Sequence, residues 1–173
     1  MICEACLGIY LLATATQPDL ARPSDVHFIA EKSASIPARP LTKTLSVAPQ
    51  IRLDDIPAYA AQGITTIISN RPDGEAPDQP TFAEIKKAAE ANGMKAIHIP
   101  ITSPSAITDA DAAAFGKALD ESKGKTLAFC RSGTRATLLW SLSQAGRRSA
   151  QDIVQTAAEA GYDVSPILTR LEK

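Results

Sequence analysis

Thr126-Leu127-Ala128-Phe129 is an apolar run, Cys130-Arg131-Ser132-Gly133-Thr134-Arg135 follows it directly, and Ala136 to Ala145 continues as a helix-like stretch. The order presents a cysteine where a strand hands over to a helix. A loop at such a junction turns several backbone N–H groups toward one centre, and the helix adds the positive end of its dipole. That environment suits an anion. A thiol held there with Arg131 and Arg135 nearby is expected to have a depressed pKa and to stand largely as thiolate near neutral pH. Cys130 is therefore the candidate nucleophile and Arg135 the candidate anion ligand. The competing reading of Cys130, a buried structural thiol, fits poorly with a strand end followed by Arg, Ser and Gly.

Working outward, strand-like and helix-like segments alternate. Leu41-Thr42-Lys43-Thr44-Leu45-Ser46-Val47 has the two-residue period of a half-buried strand and is expected to open the folded domain. Asp54 with Pro57 predicts a short helix ending at Gly63, and Ile64 to Ser69 is β-branched enough for an interior parallel strand. Thr81 with Glu84, Thr108 with Asp111 and Ser149 with Asp152 have the spacing of helix starts. Ala96 to Pro100 is a further strand, Ser165-Pro166 starts a last short helix, and Leu138, Leu139 and Leu142 supply the apolar face of the helix after the cysteine loop. The pattern predicts an α/β fold of three layers, αβα, with a mainly parallel central sheet. Ligands in such folds bind beyond the carboxyl ends of the strands. Asn70 to Glu75, Thr102 to Thr108 and Cys130 to Arg135 are then expected to face one cleft.

Composition narrows the classes of function. With 173 residues, 45% hydrophobic and 21% charged, the chain is long enough for one domain with a sizeable core. A formal net charge of -1 provides no basic excess for nucleic acid or an acidic membrane. No run approaches the roughly 20 apolar residues of a membrane span. Three cysteines make no disulfide framework, which points to a reducing, cytoplasmic setting. Leu7 to Ala15 resembles the core of a secretory leader but has Glu4 where positive charge belongs. Residues 1–40, rich in proline, are expected to be a poorly ordered extension, with the domain over 41–173. Cys3 and Cys6 form a C-x-x-C that is half of a zinc site or simply two small apolar residues; no metal or cofactor is expected.

From Leu45 to Leu171 the chain resembles the beta-lactamase hydrolase-like, phosphatase-like domain family. The residues that carry the match are Asn70-Arg71-Pro72-Asp73-Gly74-Glu75, His98-Ile99-Pro100, Cys130 to Arg135 with Leu139-Trp140 after it, and Ala160-Gly161-Tyr162-Asp163. The resemblance implies a fold similar to dual-specificity protein phosphatases. It also implies a small anionic substrate, a phosphate ester or, because relatives have been labelled sulfurtransferases, a sulfane-sulfur donor.

These two chemistries ask different things of the loop. A cysteine phosphatase places five residues between Cys and Arg so that the loop wraps three phosphate oxygens; here four separate Cys130 from Arg135, as in the tighter loop of rhodaneses. Phosphate ester cleavage also gains from an acid, yet Thr102-Ser103-Pro104-Ser105 has no carboxylate. Asp73 is the candidate acid from the neighbouring loop, against an ordinary turn aspartate; Asp109 and Asp111 read as first-turn residues. Arg131, Ser132, Gly133 and Thr134 are the expected anion-binding residues. The leading expectation is a cysteine-dependent phosphatase-like hydrolase using Cys130, Arg135 and Asp73. A rhodanese-like sulfurtransferase and a non-catalytic anion or peptide binding module are the alternatives.

Overall fold

The apolar run before the cysteine is the middle strand of a five-stranded sheet in the computed structural model, which describes residues 38–172. In chain order the strands are β1 (Arg39–Pro40), β2 (Leu45–Ala48), β3 (Ile64–Ser69), β4 (Lys95–His98) and β5 (Lys125–Phe129). Their spatial order is β1-β2-β5-β3-β4, with β1 antiparallel to β2 and every other pair parallel. The helices are α1 (Ile56–Ala61), α2 (Phe82–Ala91), α3 (Asp109–Asp120), α4 (Thr134–Gln144), α5 (Ala150–Glu159) and α6 (Leu168–Leu171). The expected segment before Ala38, with Cys3, Cys6 and the stretch Leu7 to Ala15, lies outside the described residues.

Alternation along the strands divides the core. Ala48, Ile67, Leu127 and Phe129 pack with Ile56, Tyr59 and Ile85 of α1 and α2. Val47, Ile68 and Ala128 face the other way, onto Phe115, Leu139, Trp140 and Ile153 of α3, α4 and α5. Both faces of β3 and β5 are thus covered, which is why Ile64 to Ser69 shows no clean polar alternation. The sheet lies between two helical layers, as the rhythm of the sequence predicts. Because β2, β5, β3 and β4 are parallel, the loops after Ala48, Phe129, Ser69 and His98 leave the sheet along one edge.

Local signals hold at the starts of α2, α3 and α5, whereas Asp55 rather than Asp54 precedes α1, its carboxylate accepting from the Arg52 N–H. The Thr81 hydroxyl accepts from the Glu84 amide and the Glu84 carboxylate accepts from Thr81, and Thr108 and Asp111 repeat the arrangement at α3. Ser149 accepts from the Asp152 amide at α5. The strand expected over Leu41 to Val47 forms only from Leu45. The Thr42 hydroxyl accepts from the Thr44 and Leu45 amides and closes a turn, and pairing with β5 begins where the Thr44 carbonyl accepts from the Thr126 N–H at 2.7 Å; Leu41, Leu45 and Val47 are all buried.

α4 also differs from expectation. Its apolar face was expected from Leu138, Leu139 and Leu142, but every residue from Arg135 to Leu142 is buried. β5 lies behind the helix while α3, α5 and α6 pack around it, so Thr137 and Ser141 sit in the interior with Trp140. A helix so enclosed cannot shift its first turn without disturbing the core. Truncation of the fully buried Leu139 to Ala should cost about 3 kcal/mol. Urea unfolding checks this, with a lower midpoint and an unchanged slope expected.

Candidate active site

Cys130 leaves β5 with its backbone N–H donating to the Ala48 carbonyl at 3.4 Å, and its side chain is wholly buried. The chain then turns so that the Gly133 N–H donates to the Cys130 Sγ at 3.1 Å. That turn needs Gly133 at φ 92°, a left-handed conformation that glycine adopts without a steric penalty. Gly133 caps α4 and has no side chain of its own, so no capping side chain takes up the first amides of α4. Arg131 and Ser132 are exposed on the rim, Thr134 is half-buried, and the Ser132 and Thr134 hydroxyls lie 3.0 Å apart.

Arg135, at 5% exposure, is the most constrained side chain of the group. Its Nη1 donates to Glu75 Oε1 at 2.7 Å and its Nη2 to Glu75 Oε2 at 2.9 Å, a two-pronged pair. Nη1 also donates to the Ile101 carbonyl. These bonds occupy three of the five guanidinium N–H groups and leave the edge formed by Nε–H and the second Nη2–H. Two parallel donors on one edge match two oxygens of a tetrahedral anion. Burial works to lower the Arg135 pKa, but the Glu75 carboxylate and the Cys130 sulfur outweigh it and the net shift is upward, so the cation persists.

Glu75 is shared. Arg71 Nε donates to its Oε2 at 2.6 Å, while Arg71 Nη1 donates to Gln50 Oε1 at 2.9 Å. The Gln50 N–H in turn donates to the Arg131 carbonyl at 3.3 Å. Loops following β2, β3, β4 and β5 are thereby tied into one edge. Hydrogen bonds from Arg135, and then from Arg71, hold the Glu75 pKa down to about 2 against an ordinary 4.5.

Residues 37–147 match the family described as beta-lactamase hydrolase-like protein, phosphatase-like domain. The chain belongs to that family. A beta-lactamase hydrolase-like protein of Agrobacterium fabrum is 38% identical over 135 residues, which are 77% of this chain and 31% of the relative. The chain thus spans about a third of the length of the curated relatives it matches. A candidate phosphatase from Neisseria meningitidis superposes with a TM-score of 0.69 at 35% identity, covering 77% of this chain and 94% of the other. Tk-PTP in its active form shares the fold, with a TM-score of 0.64 at 15% identity over 78% of this chain and 92% of its own.

The other residues of this phosphatase-like domain divide by what they bind. Asp73 is exposed, and its Oδ1 accepts from the Phe82 N–H at 2.7 Å, so it holds the first turn of α2. Asp109 pairs with Arg170 at 2.6 Å and Asp111 completes the Thr108 cap. His98 is half-buried, bonds the Arg71 carbonyl at 3.0 Å and stacks on Phe82 at 4.3 Å, as a hydrogen-bonded structural histidine does. Phe129 lies in the α1 and α2 side of the core. Sequence reasoning attached no role to Gln50 or Tyr162. Gln50 has no local signal, because its partners Arg71 and Arg131 are distant in the chain. Glu75 had one, being four residues from Arg71. Among the described residues no group of three or more His, Cys, Asp and Glu stands ready for a metal, and no helix is long and apolar enough to cross a membrane.

Replacing Glu75 by Gln leaves two nearly buried guanidinium groups short of their counter-charge. A loss of about 2 kcal/mol is expected, below the range for a fully buried pair because the Glu75 side chain is 24% exposed. A depressed carboxylate contributes stability above its unfolded pKa and loses it as pH falls toward the folded one. The difference between wild type and Glu75→Gln should therefore be full above an ordinary 4.5 and shrink as pH falls toward about 2, measured by urea titration at each pH.

Proposed function

We propose that this phosphatase-like domain is a cysteine-dependent hydrolase of phosphate monoesters. The donor set around Cys130 carries the reading: the Gly133 N–H on the sulfur, the N-terminal end of α4, and the edge of Arg135 that Glu75 does not take, which interacts with the Cys130 sulfur. The Cys130 thiolate attacks phosphorus, an S–P bond forms, and the P–O bond to the leaving group breaks. Arg135 and the amides of Arg131 to Thr134 stabilise the charge that spreads over the phosphoryl oxygens. Water then attacks phosphorus, the S–P bond breaks, inorganic phosphate departs and the thiolate is restored.

Asp73 supplies the proton to the leaving oxygen in this reading, and its bond to Phe82 makes the test clean. Asparagine keeps an oxygen for the Phe82 N–H but has no proton of this kind to give. Asp73→Asn should lower kcat by about a hundredfold for an alkyl phosphate and only about threefold for an aryl phosphate with a good leaving group. Equal losses for both, or none, would assign Asp73 to the α2 start alone.

The four-residue spacing from Cys130 to Arg135 favours a second reading, sulfur transfer. There the thiolate attacks the sulfane sulfur of thiosulfate, the S–S bond breaks, sulfite leaves and a persulfide remains on Cys130. Purified protein offered an aryl phosphate and, separately, thiosulfate should release phosphate and show no added sulfur by intact mass. Cys130→Ser should lower phosphate release by at least about a thousandfold. A persulfide without phosphate release reverses the assignment, and anion binding without either reaction, retained in Cys130→Ser, makes the domain a binding module.

A further inference from the structure

The conformation at Gly133 is held from outside the loop. Tyr162 follows α5 at the turn through Gly161 and lies against Gly133: a Cβ at position 133 would stand 2.7 Å from the Tyr162 Cζ and 2.9 Å from its Cε1, and would also overlap the hydroxyl. The ring edge therefore fills the space beside the glycine. Its hydroxyl also makes a long contact, 3.5 Å, with the Ser132 carbonyl.

Tyr162 is itself anchored. Its N–H donates to the Ala157 carbonyl at 2.9 Å, and the Arg39 guanidinium lies 5.5 Å from the ring centroid. Arg39 Nη1 donates to the Ala160 carbonyl at 3.3 Å, and to that of Gly161 at 3.5 Å, so β1 and the end of α5 grip the ring from behind. Burial raises the phenol pKa, Arg39 opposes this, and the neighbouring Cys130 sulfur adds to it.

We propose that Tyr162 is a positioning residue for Cys130, its ring keeping Gly133 in the left-handed turn that directs the Gly133 N–H onto the sulfur. The inference deepens the reading of Cys130 as nucleophile and rests on it. A glycine at positive φ has many alternatives open to it, and no side chain of the loop excludes them. The ring excludes them by occupancy. Its effect on reaction is preorganisation: the donor stands in place before substrate arrives. The hydroxyl has a lesser part, since its contact with Ser132 is long.

Tyr162→Phe keeps the ring and Tyr162→Ala removes it. By amide hydrogen exchange and NMR, Tyr162→Ala should lose about a hundredfold protection at the Gly133 amide while Leu127 and Ala128 amides keep theirs, and the Gly133 proton should move upfield. Tyr162→Phe should leave both unchanged. With an aryl phosphate, Tyr162→Ala should lower kcat by about tenfold with KM within about threefold, and Tyr162→Phe should restore kcat. A Gly133 amide that stays protected and unshifted in Tyr162→Ala overturns the proposal, as does parallel loss of protection across β5. If Tyr162→Ala does not fold, Tyr162→Leu carries the same expectations. If wild type releases no phosphate, the hydrolase reading fails, and the exchange and shift data still judge Tyr162.

Discussion

The two-pronged bond between Arg135 and Glu75 is the constraint on which the site depends. A guanidinium at 5% exposure would lose several kcal/mol of hydration if it stood alone, so it is tenable only where a carboxylate and a carbonyl meet it. Glu75 and the Ile101 carbonyl do so from two different loops. Binding one end of the guanidinium has a geometric result: the plane cannot rotate, and the remaining N–H edge has a fixed direction. In the proposed hydrolase, a phosphoryl group at the loop would meet donors that need no rearrangement. Arg71 extends the same logic, since it holds Glu75 and is held by Gln50.

The second constraint is the entry to α4. A helix buried along its length transmits the rigidity of the core to its first turn. Gly133 then sets how the loop joins that turn, and the sulfur meets an N–H at 3.1 Å as a result. Parallel strands put the β2, β3 and β4 loops on the same edge, so the partners of Arg135 and Arg71 arrive without any long connection being needed.

Much of the architecture was legible because its causes are local. Thr81 with Glu84 and Thr108 with Asp111 start helices through bonds that span three residues, so the spacing alone signals them. The Cys130 to Arg135 run was legible for the same reason. Leu41 to Val47 was misread at its start, since Thr42 offers its hydroxyl to nearby amides and a turn outcompetes the ladder there. α4 was misread as one-sided because Thr137 and Ser141 look like surface residues until three further helices close over them.

Order along the chain established the cysteine at a strand-to-helix junction, the helix caps and the alternating α/β plan, all of which follow from hydrogen bonds and periodicities within a few residues. The tertiary structure decided how Arg135 is used: packing brought the Glu75 carboxylate to its guanidinium, while Asp73 accepts from the first amide of α2. It also decided that Gln50 reaches Arg71 and that Tyr162 lies against Gly133. Those contacts join residues tens of positions apart, and no spacing rule encodes them, because the sheet and not the chain sets the distance between their loops.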